Sequence, residues 1–369
     1  MHDSPNPTGS RPTGLLLVNL GTPDAPEERA VRRYLRQFLS DPRVLDVRPW
    51  VRAFVLNVLI LPRRPRESAR AYRSIWTERG SPLLVHTLDL AKKLRSRLGE
   101  GYHVEVAMRY GRPEIAAALE RFLKAGIDRL ILFPLFPQYS SSAWGSAVEE
   151  VFSEASRLWN VPAIQVIPPF YDHPAFLDAF AAIARPVLDE LEPEKVLMSF
   201  HGLPERQILK SDPTRGEHCL RDGFRCCDEV GVINRYCYRA HCVATARGIA
   251  ERLGLEPERF IVTFQSRLGR DPWIRPFTDE VVVELARAGT RRVAVLSPAF
   301  VADCLETLEE LAIRAREDFI ANGGEDLRLV PSLNAEDVWV EAMLRILDDA
   351  LSTRLSGEAS QASSARSFP

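Results

Sequence analysis

Apolar runs of five or six residues alternate along the chain with longer stretches in which apolar residues recur every three or four positions. The short runs predict strands buried on both faces, and the longer stretches predict amphipathic helices crossing over them, as in parallel sheets. Eight strands are predicted, at residues 15–20, 103–108, 129–133, 163–167, 195–199, 259–263, 292–296 and 327–330. They form two sets of four, so the chain reads as two doubly wound α/β domains, 14–180 and 181–333, facing a cleft. Residues 334–351 predict a closing helix capped by Asn334. The Ser/Ala/Arg-rich stretch 352–369 and the leading residues 1–13 predict disordered ends.

Composition sets the limits. The 369 residues are 46% hydrophobic and 27% charged, enough apolar mass for one large core or two smaller ones. With 48 basic and 50 acidic residues the net charge is -2, and no basic run is long, so nucleic acid is not an expected partner. No signal-peptide pattern and no run of about 18 apolar residues occurs, which leads to the expectation of a cytoplasmic protein. The first predicted strand leads into Gly21-Thr-Pro-Asp-Ala-Pro26 without a G-x-G-x-x-G or a G-x-x-x-x-G-K-[ST]. Pro23 and Pro26 remove amide donors that a phosphate would need, so a nucleotide is not expected.

Candidate chemistry lies at the strand ends of the second half. The run ending at Phe200 gives way to His201-Gly-Leu-Pro, which puts an imidazole at the carboxyl end of a parallel strand, where such sheets bind ligands. After the strand at 292–296, Asp303, Glu306 and Glu310 follow at spacings of three and four, on one helical face with Asp303 at its start. Acidic residues in a first turn commonly just favour the helix dipole. Facing a neutral imidazole, they could instead take part in proton transfer or hold a divalent cation.

The segments 15–23 (LLLVNLGTP), 136–140 (FPQYS), 199–206 (SFHGLPER), 264–267 (FQSR) and 302–308 (ADCLETL) closely resemble those of ferrochelatases, in the same order from about residue 14 to 351. The resemblance implies two Rossmann-like domains without a dinucleotide, with the C-terminal helix packing back on the first. It implies insertion of Fe2+ into protoporphyrin IX, releasing two protons and forming protohaem. His201 matches the family's proton acceptor or iron ligand, and Glu306 the carboxylate opposite it. Arg64, Tyr72, Ser81, Arg109 and Tyr110 match positions near the porphyrin, with an arginine available to a propionate. Two departures stand out: Cys304 occupies a place where some members have histidine, and Arg314 interrupts the acidic row. The apolar run 51–61 could form a cleft lip that rests on the inner membrane as a peripheral contact. Monomer and homodimer both remain open. The alternatives are a chelatase for coproporphyrin or a corrin precursor, and a non-enzymatic porphyrin or iron-sulfur sensor.

Five of the six cysteines, Cys219, Cys226, Cys227, Cys237 and Cys242, crowd into an insertion at 216–242 as C-x6-C-C-x9-C-x4-C. Reducing conditions disfavour disulfides, and paired C-x2-C zinc knuckles are missing. The Cys237 to Cys242 spacing resembles part of a plant-type ferredoxin loop. Some ferrochelatases carry a [2Fe-2S] cluster, in certain bacteria on an internal cysteine group. Four of the five are therefore expected to hold a cluster: Cys219, Cys237, Cys242 and either Cys226 or Cys227. Zinc and unligated thiols are the alternatives, and His218 or His241 could replace a thiolate.

Overall fold

A computed structural model describes residues 12–267, 269 and 271–362. The predicted strands are present as β1 (Thr13–Thr22), β2 (Tyr102–Gly111), β3 (Arg129–Pro134), β4 (Ala163–Val166), β5 (Lys195–His201), β6 (Phe260–Gln265), β7 (Arg292–Leu296) and β8 (Asp326–Leu329). They build two four-stranded sheets of order β2-β1-β3-β4 and β6-β5-β7-β8, and every pairing is parallel. Leu15, Leu16, Leu17 and Val18 are all fully buried, and so are Val196, Leu197, Met198 and Phe200. Unbroken apolar runs suit these central strands because helices cover both faces.

In each sheet the chain leaves the first strand toward one neighbour and returns on its other side. The order therefore reverses between β1 and β3, and again between β5 and β7. Divergent connections open a crevice at the carboxyl ends of such strands. Gly21 lets the β1 end draw close to β2: its φ is +119°, and an added Cβ would lie 1.8 Å from the Tyr110 carbonyl oxygen. No other residue admits that approach.

The domain boundary expected at 180/181 falls inside a continuous helix, Pro174–Leu191. Phe176 and Phe180 on that helix belong to one core cluster that also holds Leu15 and Leu17 of the first sheet and Val196 and Met198 of the second. The two halves thus share a core. The last helix, Asp337–Ala362, returns to the first half: Lys93 pairs with Asp337 at 2.7 Å, and Trp339 packs on Phe170 and Phe176.

This helix corrects two expectations. It extends eleven residues past Leu351 into the stretch expected to be disordered, while 363–369 and 1–11 lie outside the described residues. Asn334 does not cap it. Its Oδ1 accepts from the Asp303 amide at 2.9 Å, its Nδ2 donates to Asp303 Oδ2 at 2.8 Å, and its φ of 49° turns the chain before the helix begins.

Candidate active site

β5 delivers His201 beside the second crevice, and the segment after β7 delivers Glu306 and Glu310. The His201 Nδ1 lies 2.6 Å from the Gly202 carbonyl oxygen. A carbonyl can only accept, so Nδ1 carries the hydrogen and the neutral ring keeps its Nε2 lone pair for another partner. The ring stands 6.4 Å from that of Phe300.

The carboxylates come from an irregular helix. A short α-turn, Leu305–Thr307, runs into a π-helical segment, Leu308–Ala315. π-Turns are rare and concentrate at functional sites. Gln265, the register partner of His201, donates its Nε2 to the Glu306 carbonyl at 2.7 Å and to Glu310 Oε2 at 3.4 Å. Ser266 donates its hydroxyl to the same Glu310 oxygen. Burial and the nearby Glu306 charge push the Glu310 carboxyl up, against the opposing pull of Ser266, Arg314 and His201. The charges of both His201 and Glu306 thus bear on Glu310.

Asp303 is not part of this acidic face. It is buried and accepts from Thr307 Oγ1, the Ser332 amide and Asn334, so it anchors the turn. Cys304 starts the helix, buried against Glu306, and burial followed by that carboxylate pushes its thiol up. Arg314 closes the row by pairing with Glu309 at 2.8 Å and Glu310 at 3.3 Å.

The first half faces this group. Tyr72 is buried beside Thr22 and Tyr34, and both tyrosines lie near Glu306 and Cys304. Thr22 donates to the Ser81 hydroxyl at 2.8 Å, and Tyr34 to the Gly21 carbonyl at 3.2 Å. Tyr72 and Ser81 thus join one string at the end of β1. Arg64 is exposed at the start of the helix Arg64–Ile75. Across the cleft, Tyr72 and Ile75 share an apolar cluster with Leu305 and Leu308. After β3, Gln138 donates to Thr245 at 3.0 Å and to the Pro298 carbonyl at 3.3 Å, which joins the two crevices.

Arg109 and Tyr110 are placed elsewhere than expected. Arg109 pairs with Asp41 at 2.8 Å and Glu150 at 3.4 Å, and the Tyr110 hydroxyl, on a residue with 0% exposure, donates to Asp41 at 2.7 Å. Both residues join an internal network with Asp41 and Ser146. Asp41 and Tyr34 gave no sequence signal of their own, since each acts through partners distant in the chain.

The cysteine insertion wraps the start of the helix Tyr238–Leu253. Asp212 gathers its first turn, accepting from the amides of Thr214 (2.8 Å), Gly216 (3.1 Å), His218 (3.3 Å) and Cys219 (2.9 Å). Despite its burial these bonds hold its carboxyl well below the usual range. The Cys237 thiol lies near those of Cys219 and Cys227, and Cys242 lies near Cys237 and Cys227. Cys226 is partly exposed, its sulfur 3.9 Å from that of Cys227. His241 is excluded as a ligand: Nδ1 accepts from the Tyr139 amide at 3.1 Å, Nε2 donates to the Arg235 carbonyl at 2.9 Å, and the ring stacks on Tyr171. Burial brings its pKa down to about 4. Among the described residues no group of three or more His, Cys, Asp or Glu surrounds a single point as one metal ion requires.

Two parallel sheets with facing switch-point crevices, lined by one imidazole and paired carboxylates, define a chelatase-like α/β protein. The same fold is found in SirB of Bacillus subtilis, solved with Fe3+, at a TM-score of 0.52 and 14% identity over 94% of this chain and 98% of that one. A sirohydrochlorin chelatase SirB in complex with cobalt, from B. subtilis subspecies spizizenii, gives 0.51 at 10% identity over 92% and 95%. The ferrochelatase family model matches residues 12–351. Ferrochelatase of Coxiella burnetii (strain CbuK_Q154) is 44% identical over 338 residues, 92% of this chain and 94% of its own. That of Stutzerimonas stutzeri (strain A1501) is 46% identical over 337 residues, 91% and 97%, and that of Chromobacterium violaceum 42% over 358 residues, 95% and 91%. The chain belongs to the ferrochelatase family. It is an enzyme, a metal chelatase whose substrates are a porphyrin and ferrous iron.

Proposed function

We propose that the porphyrin is protoporphyrin IX and that metal exchange takes place between His201 and the Glu306–Glu310 pair. The observation that carries this is His201 itself, held by Nδ1 so that Nε2 is left as an acceptor, with its charge bearing on Glu310. The reaction removes two pyrrole protons and adds Fe2+, so charge is conserved in the ring. His201 Nε2 takes one pyrrole proton at a time on one face and passes the first to solvent before it takes the second, and Glu306 with Glu310 presents the ferrous ion on the other. A planar ring hides its nitrogen lone pairs, and a cleft that favours a bent ring lowers the barrier. Tyr72 and Ser81 support one edge of the ring, and Arg64 meets a propionate. Anaerobic assays with Fe2+ and each candidate tetrapyrrole test this reading. Turnover fastest on protoporphyrin IX supports it, and preference for coproporphyrin or a corrin precursor overturns the substrate assignment.

The lip is proposed to rest on a membrane surface. Trp50, Phe54, Val58 and Leu59 are exposed at 69%, 55%, 54% and 52% on the two short helical segments Pro49–Phe54 and Val55–Ile60. Such a face favours interfacial contact, and among the described residues no helix is long and apolar enough to cross a membrane.

The third proposal is a [2Fe-2S] cluster on Cys219, Cys227, Cys237 and Cys242. A binuclear cluster needs two thiolates per iron and no single enclosed point. The neighbouring sulfurs support this reading, while among the described residues no group of three or more His, Cys, Asp or Glu surrounds one point. Bound there, the group supplies a covalent cross-link between the loop and the helix Tyr238–Leu253.

A further inference from the structure

The helix Glu205–Lys210 begins four residues after His201. At six residues it is too short to be stable by itself, so its place is set by what it touches. Ile208 is buried, and Glu205 donates its amide to the Pro272 carbonyl at 2.9 Å. The remaining bonds reach the first half. Arg206 donates Nε to Asp46 Oδ1 at 2.8 Å and also pairs with Asp271, Lys210 donates to Asp46 Oδ2 at 2.6 Å, and Gln207 Nε2 donates to the Val44 carbonyl at 3.3 Å. Asp46, whose side chain is only 7% exposed, stands just before the lip segment Pro49–Phe54.

The same helix bears on how His201 is held. β5 pairs with β7 only as far as Met198, so β6 is the one strand neighbour of its last residues. The carbonyl that takes the His201 Nδ1 hydrogen belongs to Gly202, in the short link 202–204 whose Pro204 is the N-cap of the helix. With that carbonyl in place, the hydrogen stays on Nδ1 and Nε2 accepts. With it displaced, the hydrogen can move to Nε2, which then only donates.

We infer that Asp46 is a positioning residue for metal insertion: by holding Arg206 and Lys210 across the cleft it fixes the helix, and with it the Gly202 carbonyl that keeps His201 Nε2 an acceptor. The inference rests on the reading of His201 as the base. It also ties that base to the root of the lip, since one carboxylate anchors both.

The test uses the full chain and measures single-turnover iron insertion into prebound protoporphyrin IX, porphyrin affinity, and nitrogen-15 spectra of labelled histidine near pH 8, where imidazole is neutral. The His201 signal is assigned by its loss in His201→Ala. Asp46→Asn keeps the shape and removes the charge that two cations share. It should slow insertion about tenfold, the scale of a misplaced reacting group, with affinity within a few-fold of wild type. His201 should then show both tautomers where the wild type shows hydrogen on Nδ1. Asp46→Glu, which keeps the charge, should recover most of the rate. In the His201→Ala background Asp46→Asn should cost no further rate, because two residues that act through one another are not additive. A wild-type rate in Asp46→Asn, an unmoved tautomer, or equal slowing with and without His201 overturns the positioning role. If Asp46→Asn does not fold, Lys210→Ala decides, since that side chain is 64% exposed. Several-fold slower insertion at unchanged affinity supports the inference, and a wild-type rate overturns it. Insertion at the wild-type rate in His201→Ala overturns the base reading instead, a distinct outcome.

Discussion

Glu310 shows what single residues contribute to this site. Its carboxyl is pushed up chiefly by burial and by Glu306, so ionising it in the folded protein is unfavourable. A raised folded-state value for an acid means that wild-type stability declines as pH rises through it. Glu310→Gln should therefore melt with wild type near pH 4 and above it at pH 8, while metal insertion slows. Thermal melts across that range check the sign, and an equal or lower melting temperature at pH 8 contradicts it. The placement of His201 at a strand end was legible in sequence because the apolar run before it stops at Phe200. Asp303 was misplaced because a helical count cannot foresee that Asn334 and Ser332, from another segment, would claim its carboxylate. Arg109 looked available for the same reason, since Asp41 lies 68 residues away.

At the scale of elements, the central strands were legible because doubly buried strands leave runs that no surface element tolerates. The π-helical Leu308–Ala315 segment was not, because its hydrogen-bond shift carries no composition signal. The cysteine loop is an intermediate case. Its spacing led to the expectation of a ligand group, whereas Cys227 being buried and Cys226 partly exposed follows from tertiary packing. Asp212 should be the residue on which that loop depends. Asp212→Ala leaves four amides and the Thr214 hydroxyl without their acceptor, at a cost of about 1–3 kcal/mol. Hydrogen exchange at 212–219 should accelerate while β5 stays protected. Unaltered exchange in the loop would show that Asp212 is dispensable.

Over the whole molecule, the cleft depends on contacts that cross it. Asp46 of the first half accepts from Arg206 and Lys210 of the second, at 2.6 Å each. Burial alone would raise its pKa, but those two cations bring it below the usual aspartate value. A lowered value adds stability above the ordinary aspartate range, and this is lost as pH falls through the folded-state pKa. Arg206→Ala should weaken that contribution, so its acid unfolding begins at a higher pH than in wild type. Coincident acid transitions would contradict this. The lip makes a separate prediction: Trp50→Ser with Phe54→Ser should cut co-sedimentation with phosphatidylglycerol vesicles several-fold and leave turnover on detergent-dispersed porphyrin near wild type. Equal sedimentation would remove the membrane contact. Neither the shared core nor the Asp46 closure could be read from the sequence, because both depend on how the halves meet.

The most direct measurement of the central claim is single-turnover iron insertion into prebound protoporphyrin IX by wild type and His201→Ala, with porphyrin affinity measured alongside by fluorescence quenching. The account predicts affinity within a few-fold of wild type and insertion slowed by at least about 100-fold, the scale of a lost general base. Insertion at the wild-type rate in His201→Ala would contradict it and move the proton acceptor elsewhere in the cleft.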